Sequence, residues 1–383
     1  MIAGIVFGFV PLAVWLYLLL LRRGFWLLRE RDSAAVAGPA VWPSVVAVVP
    51  ARNEADVIQQ SIGSLVGQDY PGPFHVVLID DQSDDGTADL ARGLSCDRLT
   101  VLTGGPRPKG WTGKLWAMQQ GCDEAAKFTP EFLWFTDADI AHSADNLRQL
   151  VARAENGSQV LVSLMARLHC RSAAEHFLIP AFVFFFDMLF PFGAVNDPRS
   201  KLAAAAGGCM LARRDALEKA GGIAAIRHNI IDDCALGRAM KAQGPIWLGL
   251  TDRAVSLRPY PHISDIRHMV TRTAYAQLGY SPLMLAGTLL GLAMVYLAPV
   301  LTALFAWGIS QLAGWLAWII MAVMFQPMLR FYRLSPLWGL ALPLIGVFYA
   351  AFTLESAFQH RAGKGGMWKG RAQANSKSAE GKA

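Results

Sequence analysis

Apolar and polar positions follow two regimes along this chain. Residues 2–21 form an apolar run without a charge, and twenty residues at helical rise cover roughly the 30 Å hydrocarbon core of a bilayer. Arg22, Arg23, Arg29 and Arg31 follow, and no Lys or Arg precedes the run. The excess of positive charge predicts a retained anchor, its amino terminus outside and the next domain in the cytoplasm. A cleaved signal peptide would want a basic start and a small-residue cleavage site, and both are missing. Ser33 to Pro43, rich in Ala, Gly and Pro, reads as a linker. Short runs then alternate with helical patterns. Val45–Val49, His75–Ile79, Leu99–Leu102 and Phe132–Phe135 read as strands. Helical patterns reach to about Val66, cover Ala88–Leu94 and run from Leu115 to about Ala126. This β-α-β-α-β-α-β order predicts a parallel, doubly wound α/β sheet of the Rossmann-like kind.

The pattern is less regular further on. Val160–Met165 and Gly244–Leu250 read as further strands, and Ile230-Ile-Asp-Asp233 opens a helix to about Lys241. Phe177–Val195 is very apolar but holds Asp187, Pro180, Pro191 and Gly193. A charge inside a span is costly, so an interfacial helix, a lipid-facing wall or burial in the core suits it better than a crossing. Ala203–Met210 is small and Gly-rich and allows close backbone approach. A basic amphipathic stretch, Asp265–Tyr275, precedes 49 residues without charge or histidine, Ser281–Leu329. That length suits two spans with a turn near Gly308 to Gly314, and Leu337–Leu354 suits a third. The expected organisation is a membrane anchor at 1–22, a linker at 23–43, a cytoplasmic α/β domain at 44–280, about three transmembrane helices within 281–358, and a basic tail at 359–383. One N-terminal and three C-terminal spans would put that tail outside, yet its charge favours inside. A re-entrant or interfacial C-terminal segment would remove the conflict.

Composition supports the membrane reading. Of 383 residues, 54% are hydrophobic and only 17% charged, more apolar than a soluble average. Six Lys/Arg against one Glu lie in Arg361–Ala383, so the net charge of +6 reads as membrane-flanking rather than as a nucleic-acid footprint. Five widely spaced cysteines without a CxxC argue against a disulfide framework and a structural zinc site.

The candidate chemistry is acidic. Asp137 and Asp139 follow the Phe132–Phe135 run, where open α/β sheets bind ligands. Two close carboxylates repel, and a hard divalent cation, Mg²⁺ or Mn²⁺, is a fitting partner for a phosphate-bearing substrate. The alternative is a solvated turn with Asp139 capping the next helix. Glu54 and the pair Asp80/Asp81 end two other strands, and Asp232/Asp233 open a helix, where acids also sit simply for the helix dipole. Lys114 follows a Gly-containing loop at a helix start, a place that suits an anion. Asp80-Asp81-Gln-Ser-Asp84 fits the DDxxD of prenyl-diphosphate enzymes, but those acids sit on helices in all-α folds. Asp137-Ala-Asp139-Ile-Ala141 fails the DxDx[TV] of haloacid-type phosphate hydrolases at Ala141.

Four motifs in order, Val-Val-Pro-Ala51-Arg52-Asn-Glu54, Ile-Asp80-Asp81-Gln-Ser-Asp-Asp-Gly-Thr87, Thr-Asp137-Ala-Asp139 and Ile-Asp232-Asp233-x-x-Leu236-Gly, resemble the inverting family 2 glycosyltransferases of the GT-A fold. The resemblance covers about residues 44–275. Gly110-Trp111-Thr-Gly-Lys114-x-Trp-Ala117, Ala-Ala-Gly-Gly-Cys-Met210 and Trp368-Lys-Gly-Arg371 look most similar to the membrane-bound hopanoid-associated members. The resemblance implies a nucleotide-sugar site from Ala51, Arg52, Glu54, Asp80, Asp81, Lys114 and Asp137. It implies a divalent metal on Asp137 and Asp139, and Asp233 as general base with Asp232 orienting it. The expected function is transfer of one sugar from a nucleotide-sugar, a UDP-sugar first, to a lipid acceptor at a bacterial inner membrane. Family polymerases carry Gln/Arg-x-x-Arg-Trp before the last spans. Here the stretch is Arg267-His268-Met269-Val270, which favours single transfer over a processive polysaccharide synthase. Arg267, His268 and Arg272 are candidates for acceptor phosphate or headgroup contact. A non-catalytic lipid-binding or scaffold protein is the remaining alternative.

Overall fold

The computed structural model describes residues 2–363 together with 367–368 and 371–372. The rest of the expected basic tail lies outside the described residues. The chain divides into two compact units. One comprises Glu30–His169, Ala194–Pro259 and Met367–Ala383, the other Met1–Arg29, Cys170–Gly193 and Tyr260–Gly366.

The first of these is built on an eight-stranded sheet. Its strands are β1 (Val45–Ala51), β2 (Phe74–Asp80), β3 (Leu99–Thr103), β4 (Phe132–Phe135), β5 (Ile140–His142), β6 (Leu161–Arg167), β7 (Met210–Arg213) and β8 (Ile246–Ser256). They lie in the order β3-β2-β1-β4-β7-β6-β8-β5. The four strands expected first are all parallel, with Val49 opposite Leu78 and Val48 opposite Phe135. β1 is buried along its whole length, as a parallel strand covered on both faces must be. The helices Ile58–Val66, Thr87–Arg92 and Gly113–Ala125 make the crossovers. Gly121 lets the last of these lie against β1, because a Cβ there would stand 2.4 Å from Val48 Cγ1. The sheet order reverses between β1 and β4, and such a switch point opens a crevice at the strand ends.

Beyond β4 the sheet is mixed. β7 runs antiparallel to β4 and to β6, and β5 runs antiparallel to β8, while β6 and β8 are parallel. The sequence pattern did not show β5 or β7. Three and four residues are too short for a period to register, and β7 follows directly on the small-residue stretch. That stretch does allow close approach. The helix Asp232–Lys241 rests on its backbone through Gly237, whose added Cβ would lie 2.8 Å from the Ala204 carbonyl carbon. Part of the expected 23–43 linker is docked. Asp32 N donates to Leu250 O (2.8 Å), Leu250 N to Glu30 O (2.9 Å), and the buried Asp32 carboxylate pairs with Arg253 (3.0 Å) and Arg153 (3.3 Å).

The other unit is helical. Ala173–Val195, Pro282–Phe305, Ile309–Phe331 and Pro336–Arg361 are long and apolar enough to cross a membrane, and Val6–Leu20 is a shorter apolar helix. The break in the long apolar run falls at residues 306–308, where Gly308 takes a positive φ of 64°. Gly314 then packs on Thr302 and Gly8 on Ser310, and Trp15 Nε1 donates to Val295 O (2.8 Å). The Phe-rich helix packs among the apolar helices, with Phe184 against Phe325 (5.2 Å) and Phe185 against Tyr349 (5.0 Å). Its Asp187 is buried and accepts from Phe192 N (3.0 Å). The Pro336–Arg361 segment first runs back along its predecessor, with Gln326 Nε2 donating to Pro336 O (3.1 Å) and Trp318 Nε1 to Leu340 O (3.1 Å). Its far end meets the segment leading into Pro282. Ser356 Oγ donates to Thr271 O (2.5 Å), Glu355 pairs with Arg267 (3.3 Å) and His360 stacks on Tyr280 at 4.2 Å.

Gly237→Ala is expected to lower the thermal unfolding midpoint of the detergent-solubilised protein. Overpacking against backbone costs about 1–3 kcal/mol, and Gly63→Ala, in a helix with nothing within 4 Å of the added Cβ, is the control that does not lower the midpoint.

Candidate functional site

The carboxyl ends of β1, β2 and β4 carry the acids, and hydrogen bonds between the loops fix them. After β1, Asn53 adopts a left-handed φ of 51°, and after β2, Gln82 does so at 56°. Asp81 N donates to Ala51 O (2.8 Å), Asn53 N to Ser83 Oγ (2.9 Å) and Glu54 N to Thr87 Oγ1 (2.8 Å). Arg52 donates to the Asp81 and Gln82 carbonyls and lies 4.0 Å from the Asp81 carboxylate. The guanidinium therefore holds two loops together. Asp80 is 3% exposed; its Oδ2 accepts from Ser83 N (3.2 Å), while its Oδ1 has no hydrogen-bond partner among the described residues. An unmet buried acceptor costs free energy unless a ligand supplies a donor.

Lys114 stands in the first turn of Gly113–Ala125, a helix started by Thr112, whose side chain accepts from Leu115 N. Its ammonium lies 2.8 Å from Asp137 Oδ1 and 2.9 Å from Asp232 Oδ2. It thus joins the end of β4 to the start of the Asp232–Lys241 helix. Burial opposes its charge, but Asp137 and Asp232 outweigh that and hold it protonated well above its ordinary range. Burial also raises the Asp137 carboxyl, with Lys114 opposing and Asp139 adding to the rise. Asp233 accepts from Gly207 N (3.1 Å) and Cys234 N (2.6 Å). Burial and the adjoining Asp232 push its carboxyl up to about 6, against the pull of Lys114 and those two N–H groups. Gly207 belongs to the small-residue stretch, which brings its N–H within reach of the acid.

Arg258, two residues beyond β8, completes the cluster. Its Nε lies 2.8 Å from Asp139 Oδ2 and its Nη2 2.6 Å from Glu54 Oε2. Sequence reasoning passed over it because the strand was expected to end at Leu250. A lone basic residue just past a strand end was the available signal. The same geometry corrects the alternative in which Asp139 caps a helix. Asp139 leads into β5, and the next helix, Asn146–Asn156, follows Asp145.

Behind Asp137 lies a buried polar relay. Thr136 Oγ1 donates to Gly208 O (2.9 Å) and accepts from His142 Nε2 (2.8 Å), whose Nδ1 accepts from Asn146 Nδ2 (2.9 Å). Burial pushes the His142 pKa down to about 3, so the ring is neutral. The relay ties the residue before Asp137 to the residue after Gly207. Of the other expected residues, Arg267, His268 and Arg272 belong to the helical unit, and Arg267 is paired there with Glu355.

Residues 46–221 match the protein-family model described as Glycosyl transferase family 2. That match lies on the mixed sheet, whose strand arrangement is GT-A-like. A curated relative, Glycosyltransferase AglE of Haloferax volcanii, is 36% identical over 63 residues, 16% of this chain. The match spans about a fifth of that relative's length (21%). Among solved structures, the mannosyltransferase PcManGT from Pyrobaculum calidifontis in complex with GDP-Man and Mn²⁺ superposes with a TM-score of 0.54 at 20% identity. That likeness covers 93% of this chain and 98% of that one, and it is a likeness of fold.

Thr136→Val leaves the Gly208 carbonyl and the His142 N–H without partners, at a cost of about 1–3 kcal/mol. A drop in the thermal midpoint is expected for Thr136→Val and none of similar size for Thr136→Ser, read by thermal unfolding of the purified protein.

Proposed function

We propose that this protein transfers a single sugar from a nucleotide-sugar to a membrane lipid, with inversion at the anomeric carbon. The observation that carries the reading is the Lys114-centred cluster. It joins Asp137 to Asp232, next to an Asp233 whose pKa is lifted toward neutrality. In this reading Ala51, Glu54, Asp80 and Asp81 hold the nucleoside, and the partnerless Asp80 Oδ1 accepts from a ribose hydroxyl or base N–H. Asp137 and Asp139 would hold a divalent cation. Among the described residues no group of three His, Cys, Asp or Glu is placed to hold a metal by itself, and two carboxylates beside a phosphate-bearing ligand suit Mg²⁺ or Mn²⁺. Such a cation would supply positive charge against the negative charge developing on the departing nucleotide. Lys114 adds positive charge at a helix start beside the same phosphates.

Asp233 is the general base. Its two N–H donors fix the carboxylate, and a pKa of about 6 leaves it ionised at neutral pH yet basic enough to accept a proton. It takes the acceptor hydroxyl's proton as that oxygen attacks the anomeric carbon opposite the leaving diphosphate. Asp232, held by Lys114, keeps the base oriented. The likeness of Gly110–Ala117, Ala205–Met210 and Trp368–Arg371 to hopanoid-associated enzymes supports a polycyclic lipid acceptor. Arg267, His268 and Arg272 are the candidates for its headgroup. The absence of Arg-Trp after Arg267 argues against a processive polysaccharide synthase, and the intact acid constellation argues against a lipid-binding scaffold.

The membrane reading is an inner-membrane protein with its catalytic domain in the cytoplasm. Chain reach supports an in-plane position for Ala173–Val195. Arg167 ends β6, and Asn196 is hydrogen-bonded both ways to Leu248 of β8 in the same sheet (2.7 and 3.0 Å). The helix Ala173–Leu189 is about 25 Å long, and the six residues 190–195 reach at most about 20 Å, too little to recross a bilayer core of about 30 Å. The contacts of Ser356 and His360 with Thr271 and Tyr280 support a re-entrant Pro336–Arg361. That returns the basic tail to the cytoplasmic side and agrees with its charge.

Purified protein incubated with UDP-sugars, a bacterial lipid extract and Mn²⁺ is expected to release nucleotide. Asp233→Asn is expected to cut that release about 10²–10⁴-fold; undiminished release by this variant would refute the assignment. Because the base acts deprotonated, kcat/KM is expected to fall tenfold per pH unit below about 6. Lys114→Met, which removes the cation opposing that shift, is expected to move the limb to higher pH. For the membrane arrangement, a cysteine replacing Trp307 is expected to react with an impermeant maleimide on intact cells. One replacing Ala362 is expected to react only in inverted vesicles, and the reverse pattern refutes re-entry.

A further inference from the structure

Both carboxylates assigned above to a divalent cation already hold a cationic side chain. Lys114 bridges Asp137 and Asp232 (2.8 and 2.9 Å), and Arg258 bridges Asp139 and Glu54 (2.8 and 2.6 Å). The two bridges differ in kind. Lys114 is a point charge at the head of a helix. Arg258 offers a planar fork, with Nε turned to one acid and Nη2 to another on a different loop, and the guanidinium cannot lose its proton. It closes the space between the end of β1, which carries Glu54, and the end of β4, which carries Asp139. A metal ion on Asp139 would share that carboxylate with the Arg258 guanidinium, a like charge within about 3 Å of Oδ2.

We propose that Arg258 is a resting-state counter-ion that is exchanged when donor binds. The divalent cation takes Asp139, and the released guanidinium takes phosphate oxygens of the nucleoside diphosphate. This rests on the assignment of Asp137 and Asp139 as the metal pair. The charges make the exchange cooperative. A dication arriving alone adds two positive charges beside Lys114 and Arg258. A diphosphate arriving alone adds negative charge beside Glu54, Asp137, Asp139 and Asp232. Arriving together they nearly cancel, and each satisfies the side chains the other displaces. Metal and nucleotide therefore assist each other's binding, with coupling of the usual range of about 5–150-fold. Arg258 carries part of that coupling. It suppresses metal binding without nucleotide and favours nucleotide once metal is present.

The test is a pair of titrations on the full-length, detergent-solubilised protein: Mn²⁺ alone, followed by the paramagnetic resonance of free Mn²⁺, and UDP and GDP by calorimetry with and without Mn²⁺. In Arg258→Met, Mn²⁺ alone is expected to bind at least fivefold more tightly than in wild type. The nucleoside diphosphate in the presence of Mn²⁺ is expected to bind at least fivefold more weakly, so the coupling factor shrinks. Arg258→Lys keeps the charge without the fork and is expected to fall between. Thermal unfolding of each variant confirms that it is folded. Mn²⁺ affinity in Arg258→Met equal to or below wild type, or unchanged diphosphate affinity, overturns the exchange while leaving the metal pair standing. Absence of Mn²⁺ binding in wild type under all conditions, or Mn²⁺ binding that Asp137→Asn leaves unchanged, overturns the metal assignment itself and the exchange with it.

Discussion

Most of this site depends on how five carboxylates at one sheet edge are neutralised. Glu54, Asp137, Asp139, Asp232 and Asp233 come from three separate stretches of chain. Like charges that close, in a partly buried setting, repel strongly without counter-charge. Lys114 and Arg258 supply it, each by bridging two acids from different elements. Burial, and after it the adjoining Asp232, raise the Asp233 carboxyl. One electrostatic problem thus yields a cross-linked crevice and, beside it, a carboxylate with a raised pKa.

The scaffold behind the acids is built for close approach. Small residues at 203–208 let the Asp232–Lys241 helix rest on backbone at Gly237, and they turn Gly207 N–H onto Asp233. The neutral His142 and Thr136 hold the Asp137 loop against the same stretch through Gly208. The Asp137 loop and Asp233 are therefore referenced to one piece of backbone, and a shift of either is felt by both. The helical unit follows the same logic with apolar surface, closing Gly8, Gly314 and Gly346 tightly on neighbouring helices.

Legibility in the sequence followed the strength of the local signal. The four parallel strands read clearly because β-branched and aromatic runs of four to seven residues alternate with helical periods. Each ends in an acid or Gly/Pro cluster that marks its boundary. The break between the long apolar helices was legible to within a few residues, because Gly308 is required at a left-handed turn. β5 and β7 were not legible. Strands of three and four residues gain their stability from partners distant in sequence, β8 for one and β4 and β6 for the other.

The sequence by itself determined the kinds of groups available and the strand ends that would carry them: the ordered acid motifs, the parallel β-α units, the apolar segments and the lysine at a helix start. These are encoded in neighbouring residues, where periodicity and turn chemistry act. Only the tertiary structure decided the pairings. That Lys114 reaches both Asp137 and Asp232, that Arg258 holds Asp139 to Glu54, and that Gly207 addresses Asp233 depend on a mixed sheet closing around β4. Coulomb attraction and hydrogen bonding between residues far apart in the chain, 26 positions for Gly207–Asp233 and 204 for Glu54–Arg258, leave no local pattern to read. They act only once the packed core has brought those residues within about 3 Å of each other.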